Sequence, residues 1–554
     1  MVNQSTPAIS PAESSCWTLV DALRAQAQRN GEAPFVTFEG EDPLSFAALD
    51  RMSDACATGL ARIGVGQGDR VAIMAENSLA FLVLFWGVQK RRAILIPINT
   101  ELKGDLLAHQ LRDSSPKIIV SDKYLGELSP LMPASVERLV SIGFADGSSA
   151  ASMTFDDLCA EASPSAILAP ESSDLCLILY TSGTSGRAKG VLIPQAHAYI
   201  FGLQQARALG VSKEDCFFIA LPLFHVNALL MSLGSCLVTG ARAYVCVKFS
   251  ASRWLEKIRA CEATITNCLG IMAEFVLRQP ETPDDQRHSL RAVMAVPVLA
   301  SWAEKFESRF GVRLVQVYGM TECNIVSFSD PADSVEPGCV GVPCDEFFDV
   351  CIVDPQTDRP LSEDSVGEIV IRPKAPFAFM QGYLGQPEVT LQTWRNLWFH
   401  TGDGGRLDRK GRLHFVDRIG DFIRRRGENI SPFEIEHVLA SHPDIAECAI
   451  VGVKIDDAGG EDEVKAYVVL GQTRVGYAEL LEWSKVRLPR FAVPRFWEFV
   501  DAIDKTATGK VKKKDLRARG VNALTWDRET QCVFGAAPES NEGVDTISAG
   551  KELT

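Results

Sequence analysis

Leu177 to Val191 reads LILYTSGTSGRAKGV. Its first four residues, Leu177, Ile178, Leu179 and Tyr180, are apolar or aromatic and read as a buried strand. The run then breaks into glycines at 183, 186 and 190, hydroxyl residues at 181, 182, 184 and 185, and cations at Arg187 and Lys189. Glycine lets backbone approach a ligand closely and adopt positive φ. Successive free N–H groups in such a loop form a concave anion site, and a polyphosphate is the guest this chemistry suits. The stretch is not a Walker A loop. Counting from Gly183 the sixth position is Ala188, and no Gly-Lys-Ser/Thr follows.

Working outward, the chain has 554 residues, too many for one compact core, so two or more domains are expected. A net charge of −15 argues against a general nucleic-acid binder. The 15 cysteines are scattered without C-x-x-C spacing and read as reduced core or pocket residues of a cytoplasmic protein. The start, MVNQSTPAISPAESSC, lacks a basic segment followed by an apolar run, so no secretory signal is expected. No continuously apolar run reaches the ~18 residues of a membrane span. The nearest, Ala228 to Gly240, reads as a buried helix.

Toward the N-terminus, strand-like segments (Arg70 to Glu76, Ile94 to Ile98, Ile118 to Ser121) alternate with helical ones such as Leu79 to Gln89. That alternation predicts an α/β layer with parallel strands. Toward the C-terminus come further motifs: Pro222-Leu223-Phe224-His225-Val226-Asn227, Tyr318-Gly319-Met320-Thr321-Glu322, Trp398-Phe399-His400-Thr401-Gly402-Asp403, Asp417-Arg418-Ile419-Gly420-Asp421 and Lys505-Thr506-Ala507-Thr508-Gly509-Lys510.

Taken together and in this order, the motifs resemble those of the adenylate-forming superfamily, which holds acyl-CoA synthetases, nonribosomal adenylation domains and firefly-type luciferases. The glycine loop resembles its Tyr-Thr-Ser-Gly-Thr-Thr-Gly-x-Pro-Lys-Gly signature, with Ser185 and Ala188 as departures. The resemblance spans residues 15 to 520. It implies an α/β fold with a large N-terminal domain of two α/β subdomains plus a β-barrel, and a small mobile α+β C-terminal domain. The corresponding boundaries are 1–418 and 419–522, with 523–554 expected as a disordered tail.

The same resemblance implies roles. Thr181, Ser182, Gly183, Thr184, Ser185, Gly186 and Lys189 would cradle the phosphates of ATP. Tyr318 would stack on adenine, Thr321 would meet phosphate, and Glu322 would hold Mg²⁺. Asp403 and Arg418 would reach the ribose, and Gly420 would be the hinge. Gly427 and Glu428 would swing in for coenzyme A, and Lys510 would serve the adenylation step. His225 would sit at the mouth of the acyl site. Val226, Leu229, Leu269, Met272, Val296, Met320 and Cys323 would form its wall. Met294-Ala295-Val296 stands where the family has Gly-Gly-Ala, which puts side chains where the family has none.

The expected function is therefore ATP-dependent ligation of a small-molecule carboxylic acid to coenzyme A through acyl-AMP, by a monomer or homodimer. The segment from Pro222 to Glu322 is most similar to crotonobetaine/carnitine-CoA ligases and to ligases for bulky acids. A cation such as carnitine would need an aromatic cage or a carboxylate, and the wall residues supply neither, so an apolar acid is favoured. Three rivals are a stand-alone enzyme loading a carrier protein, a luciferase-like monooxygenase and a nucleotide-binding pseudoenzyme. The identity of the accepting thiol separates the first, light or oxygen uptake would expose the second, and AMP formation with any acid excludes the third.

Overall fold

The structure, a computed structural model, describes residues 17–143, 152–160, 167–181, 188–300, 302–419, 423–425, 428–430, 432–454, 462–471, 475–488, 490, 492–505 and 511–533. The chain divides into two units, residues 1–416 and 417–554.

The larger unit is built on two large sheets. An eight-stranded sheet takes its strands in the order Gly382–Tyr383, Lys189–Pro194, Leu175–Thr181, Ile94–Pro97, Arg70–Met74, Ile118–Ser121, Arg138–Ser141 and Met153–Thr154. A seven-stranded sheet runs Arg313–Val315, Ala292–Val296, Ile265–Leu269, Cys216–Ile219, Arg242–Val245, Pro34–Phe38 and Leu44–Ser45. Most neighbours are parallel, as helical crossovers demand. Leu79–Gln89 is the helix its sequence predicts, apolar on every side because it is buried on every side from Phe81 to Gln89.

Two antiparallel sheets stand where the resemblance implies a barrel. One has three strands (Val317–Met320, Asn324–Phe328, Val342–Pro343). The other has five, including Phe348–Val353, Gly367–Pro373, Trp398–Leu407 and Leu413–Arg418. Residues 338–341 hydrogen-bond along 413–415 and so link the two, but the pairings among the described residues close no ring. The sequence reads Leu314 to Val317 as one strand. The chain instead changes sheets at Gln316, whose N–H donates to Ser329 Oγ at 2.9 Å, and this puts Tyr318 in the three-stranded sheet. Gly319 is obligatory there, since a Cβ would lie 2.1 Å from the Asn324 carbonyl oxygen.

The smaller unit carries a five-stranded sheet, Ile445–Lys454, Asp462–Leu470, Phe496–Phe499, Trp526–Asp527 and Cys532–Val533, with helices Pro432–Ala440, Tyr477–Arg487 and Lys513–Arg519. Its last two strands differ from the expectation of a disordered tail from 523. Three ties order them. Buried Lys465 Nζ donates to Glu498 Oε2 at 2.6 Å, to Thr525 Oγ1 at 2.7 Å and to the Gly520 carbonyl at 2.7 Å. Arg495 forks onto Asp527 at 3.2 and 3.3 Å. Trp526 stacks on Tyr477, which stacks on Phe499. Residues 534–554 lie outside the described residues.

Candidate active site

The organising stretch folds as a hairpin. Leu175–Thr181 pairs antiparallel with Lys189–Pro194, with Tyr180 opposite Gly190 and Thr181 opposite Lys189. A Cβ on Gly190 would lie 2.9 Å from Ile178 and 3.3 Å from the Tyr180 ring, so glycine is required to close the pair. The loop tip, with Ser182, Gly183, Thr184, Ser185 and Gly186, lies outside the described residues. Its two bases do not. Thr181 Oγ1 donates to Glu322 Oε1 at 3.5 Å, and Tyr383 OH donates to the same oxygen at 3.1 Å. Lys189 Nζ sits 4.7 Å over the Tyr383 ring. Thr181, Lys189, Tyr383 and Glu322 thus meet at the mouth of the hairpin. Tyr383 has no local sequence signal; it arrives through the edge strand Gly382–Tyr383, paired to Val191 and Leu192.

The turn carrying Thr321 and Glu322 is held from behind by His197, which is fully buried on the helix Gln195–Leu209. Its Nε2 lies 2.9 Å from the Thr321 carbonyl and its Nδ1 2.7 Å from the Ala378 carbonyl. Burial keeps its pKa below the usual imidazole range despite both carbonyls. The Glu322 carbonyl accepts from Met380 N–H at 3.0 Å, which completes the frame. His197 is half of that frame, and its sequence surroundings mark it only as a histidine in an apolar helix.

Tyr318 and Asp403 form a second centre. Tyr318 OH donates to Asp403 Oδ2 at 3.0 Å, and both side chains are buried. Burial and the Asp403 charge push the phenol pKa up, so it remains a donor at neutral pH. The Tyr318 ring faces Phe415 at 6.1 Å. Asp403 N–H donates to Thr401 Oγ1, itself anchored on the Ile369 carbonyl at 2.7 Å.

The segment leading to His225 is positioned by Asn77. Its Nδ2 donates to the carbonyls of Leu221 and Cys246 at 3.1 and 3.0 Å, and its Oδ1 accepts from Leu223 N–H at 2.8 Å. The chain then presents His225, whose ring packs 4.6 Å from Phe224 and whose pKa burial lowers, leaving it neutral near pH 7. Of the expected wall residues, Val226, Leu269 and Met320 are half-buried and Val296 is 41% exposed. Leu229 and Met272 are buried. Cys323 differs from its expected place: it is fully enclosed, its thiol donating to the Asn324 carbonyl, and it offers no surface to a ligand. Met294 and Ala295 are buried inside the sheet strand Ala292–Val296, so the departure from Gly-Gly-Ala reaches open space only at Val296.

Asp358, Glu368 and His400 bring three ligand-type atoms together. Arg395 already occupies the cation's place there, with Nη2 2.8 Å from His400 Nδ1, 3.2 Å from Asp358 and 3.6 Å from Glu368. Glu368 Oε1 also accepts from Gly402 N–H at 3.0 Å, so the cluster braces the turn that leads into Asp403. One guanidinium thus bridges the two carboxylates and the imidazole.

In the smaller unit, Arg418 ends the strand Leu413–Arg418, and its N–H donates to Asp417 Oδ1 at 2.7 Å. Glu428 opens the strand Glu428–Ile430, opposite Arg425. Gly420, Gly427 and Lys510 lie outside the described residues. The base of the Lys510 loop is closed by the bridge Lys505–Val511 and by Lys512 N–H donating to the Asp504 carbonyl at 2.9 Å.

Two parallel-stranded layers, a glycine hairpin backed by a buried carboxylate, and a small α+β unit define the class of adenylate-forming enzymes. The family model described as AMP-binding enzyme matches residues 23–384, and the AMP-binding enzyme C-terminal domain matches residues 434–510. The chain belongs to the AMP-binding enzyme family. The crotonobetaine/carnitine–CoA ligase of Salmonella typhi is 31% identical over 488 residues, covering 86% of this chain and 93% of that protein. Among solved structures, ATP-bound MatB from Rhodopseudomonas palustris superposes with a TM-score of 0.81 at 26% identity, covering 91% of this chain and 98% of that one. O-succinylbenzoate coenzyme A synthetase (MenE) from Bacillus subtilis, in complex with AMP, gives 0.77 at 26% identity, with the same coverage.

Proposed function

We infer that this chain is an AMP-forming acyl-CoA ligase acting on a carboxylic acid with a largely apolar body. The observation that carries the reading is the convergence of Thr181, Lys189, Tyr383 and Glu322 at the mouth of the glycine hairpin. The substrate carboxylate attacks the α-phosphorus of ATP, the bond to the bridging oxygen breaks, and pyrophosphate leaves. The loop from Thr181 to Lys189 and the ammonium of Lys510 meet the charge that spreads over the phosphate oxygens. Such chemistry depends on positioning and electrostatics. Asp403, aligned by Tyr318, takes the ribose hydroxyls together with Arg418, and Thr321 meets phosphate.

Glu322 fits Mg²⁺. Its Oε1 takes the hydroxyls of Thr181 and Tyr383, and Oε2 is a hard oxygen donor of the kind that ion prefers. When bound with ATP, Mg²⁺ supplies positive charge at the phosphates.

In the second half-reaction the coenzyme A thiolate attacks the acyl carbonyl, and AMP leaves. The family's rotation of the C-terminal domain about Gly420, bringing Gly427 and Glu428 into play, belongs to this reading. So does a cytoplasmic setting, in keeping with free thiols such as Cys56, Cys176 and Cys323. Among the described residues, no helix is long and apolar enough to cross a membrane.

The test is exchange of labelled pyrophosphate into ATP, followed by coenzyme A-dependent AMP release, over fatty, aromatic, steroid and betaine acids. An acid that supports both steps establishes the ligase. Exchange with acids but no thioester with coenzyme A overturns the second half of the reading.

A further inference from the structure

Directly after His225 the chain makes a π-helical turn, Asn227–Ser232, before the α-helix Leu233–Thr239. Such turns insert one extra residue into a helix and occur often at functional sites. Between residues 223 and 237, only His225, Val226 and Asn227 are less than buried. Asn227 is the polar amide of that opening. Its side chain meets Asn267 on the strand Ile265–Leu269, two residues before Leu269, which pairs with Val296 at the carboxyl ends of adjacent parallel strands, where ligands of open α/β sheets bind.

The orientation of the Asn227 amide follows from its partners. Ser232 Oγ donates its one proton to the Asn227 carbonyl at 2.9 Å, as the widened turn allows. Toward Asn267, 3.1 Å away, that hydroxyl must therefore accept, so the atom Asn267 presents is its NH₂ group. The same NH₂ reaches the Asn227 side chain at 2.9 Å, which must accept through Oδ1. Asn267 Oδ1 in turn accepts from Gln205 Nε2 at 2.9 Å, and Gln205 and Asn267 are both buried. A planar amide whose oxygen is tied inward directs its NH₂ outward. A buried relay of three side chains thus aims one donor, Asn227 Nδ2, at the opening.

We propose that Asn227 is a specificity residue, and that the acid this enzyme activates carries a hydroxyl or oxo oxygen on its otherwise apolar body, which accepts from Asn227 Nδ2. The proposal rests on the ligase reading above and narrows its substrate class. An acid lacking that oxygen leaves the donor desolvated and unpaired, which is how a hydrogen-bonding site rejects an apolar analogue.

The experiment uses the full-length chain and triplets of acids, deoxy, hydroxy and oxo on one skeleton, over fatty, aromatic and polycyclic skeletons. Coenzyme A-dependent AMP release is the readout. Wild type is expected to favour the hydroxy and oxo members of the best skeleton over the deoxy acid by about tenfold or more in kcat/KM. Asn227→Leu should erase or invert that preference. Asn227→Asp, nearly isosteric, keeps an acceptor for Asn267 and turns an acceptor toward the ligand. It should retain the hydroxy acid, which can donate, and lose the oxo acid, which cannot. The Asp variant also decides the matter if the Leu variant does not fold, as judged by thermal melting. Equal use of all three acids by wild type, or an unchanged ranking in Asn227→Asp, overturns the proposal while leaving the ligase intact. No AMP release with any acid overturns both.

Discussion

Tyr318→Phe separates two accounts of one residue. If the ring acts by stacking on adenine, as the motif resemblance implies, phenylalanine keeps the ring and ATP binding barely changes. The structure gives the hydroxyl a different task, holding Asp403 Oδ2 at 3.0 Å in a buried setting. A hydrogen bond to a charged group contributes roughly 1.5–3 kcal/mol. Expressed fully in ATP binding, its loss is a factor of roughly 10 to 150. Asp403 keeps its backbone tie through Thr401, so the lower end is the expectation. The assay is pyrophosphate exchange at saturating acid with ATP varied, and then acid varied at saturating ATP. KM for ATP should rise about tenfold while KM for the acid stays constant, and a urea melt should show the protein still folded. An ATP KM within twofold of wild type (about 0.4 kcal/mol) in a well-folded variant refutes the claim that this hydroxyl aligns Asp403 for the nucleotide.

On the role proposed for its ammonium, Lys510→Ala is expected to lower acid-dependent pyrophosphate exchange by about a hundredfold or more, as loss of a charge-stabilising contact in the transition state would; thioester formation from preformed acyl-AMP should persist. Gly202→Ala should cost about 1–3 kcal/mol of stability in a urea titration, because its Cβ would lie 2.5 Å from the Gly234 carbonyl carbon where two helices cross. The pKa values of His197, His225 and His288 are all lowered by burial, so the unfolded chain binds protons first on acidification. Stability should therefore be complete above the unfolded value of about 6.5 and fall as pH drops through it, and an equal urea midpoint at pH values of about 7.5 and 5.5 would contradict this. Deleting residues 523–554 strips Thr525, Trp526 and Asp527 from Lys465, Tyr477 and Arg495, and should lower the melting temperature of the smaller unit rather than leave it untouched.

What a sequence discloses is what repeats locally. Strands such as Ile118–Ser121 and the helix Leu79–Gln89 follow from runs of apolar residues, and the strand ending at Thr181 follows from an apolar run that stops in glycines, whereas its antiparallel partner Lys189–Pro194 appears only in the structure. Thr181, Lys189 and Glu322 were legible because chemistry-bearing residues cluster in short motifs. Tyr383, Asn77 and His197 were not, because their hydrogen bonds act across 61 to 181 positions of chain and the spacing to each partner carries no period. Composition also misdirects in a definite way. The stretch after Asn522 is polar on average, yet Thr525, Trp526 and Asp527 answer a buried ammonium, an aromatic stack and a guanidinium, and an average over the stretch hides three such contacts. The converse holds at Met294 and Ala295: side chains that promised to narrow a ligand wall are both buried although successive residues of a strand point to opposite faces, so neither face of the strand is open there, which only the packing of the neighbouring layers reveals. Asn227 stands between these cases. It ends a motif the sequence singles out for His225, but the direction of its donor is set by Ser232, Asn267 and Gln205, through a hydroxyl proton that only the folded turn assigns.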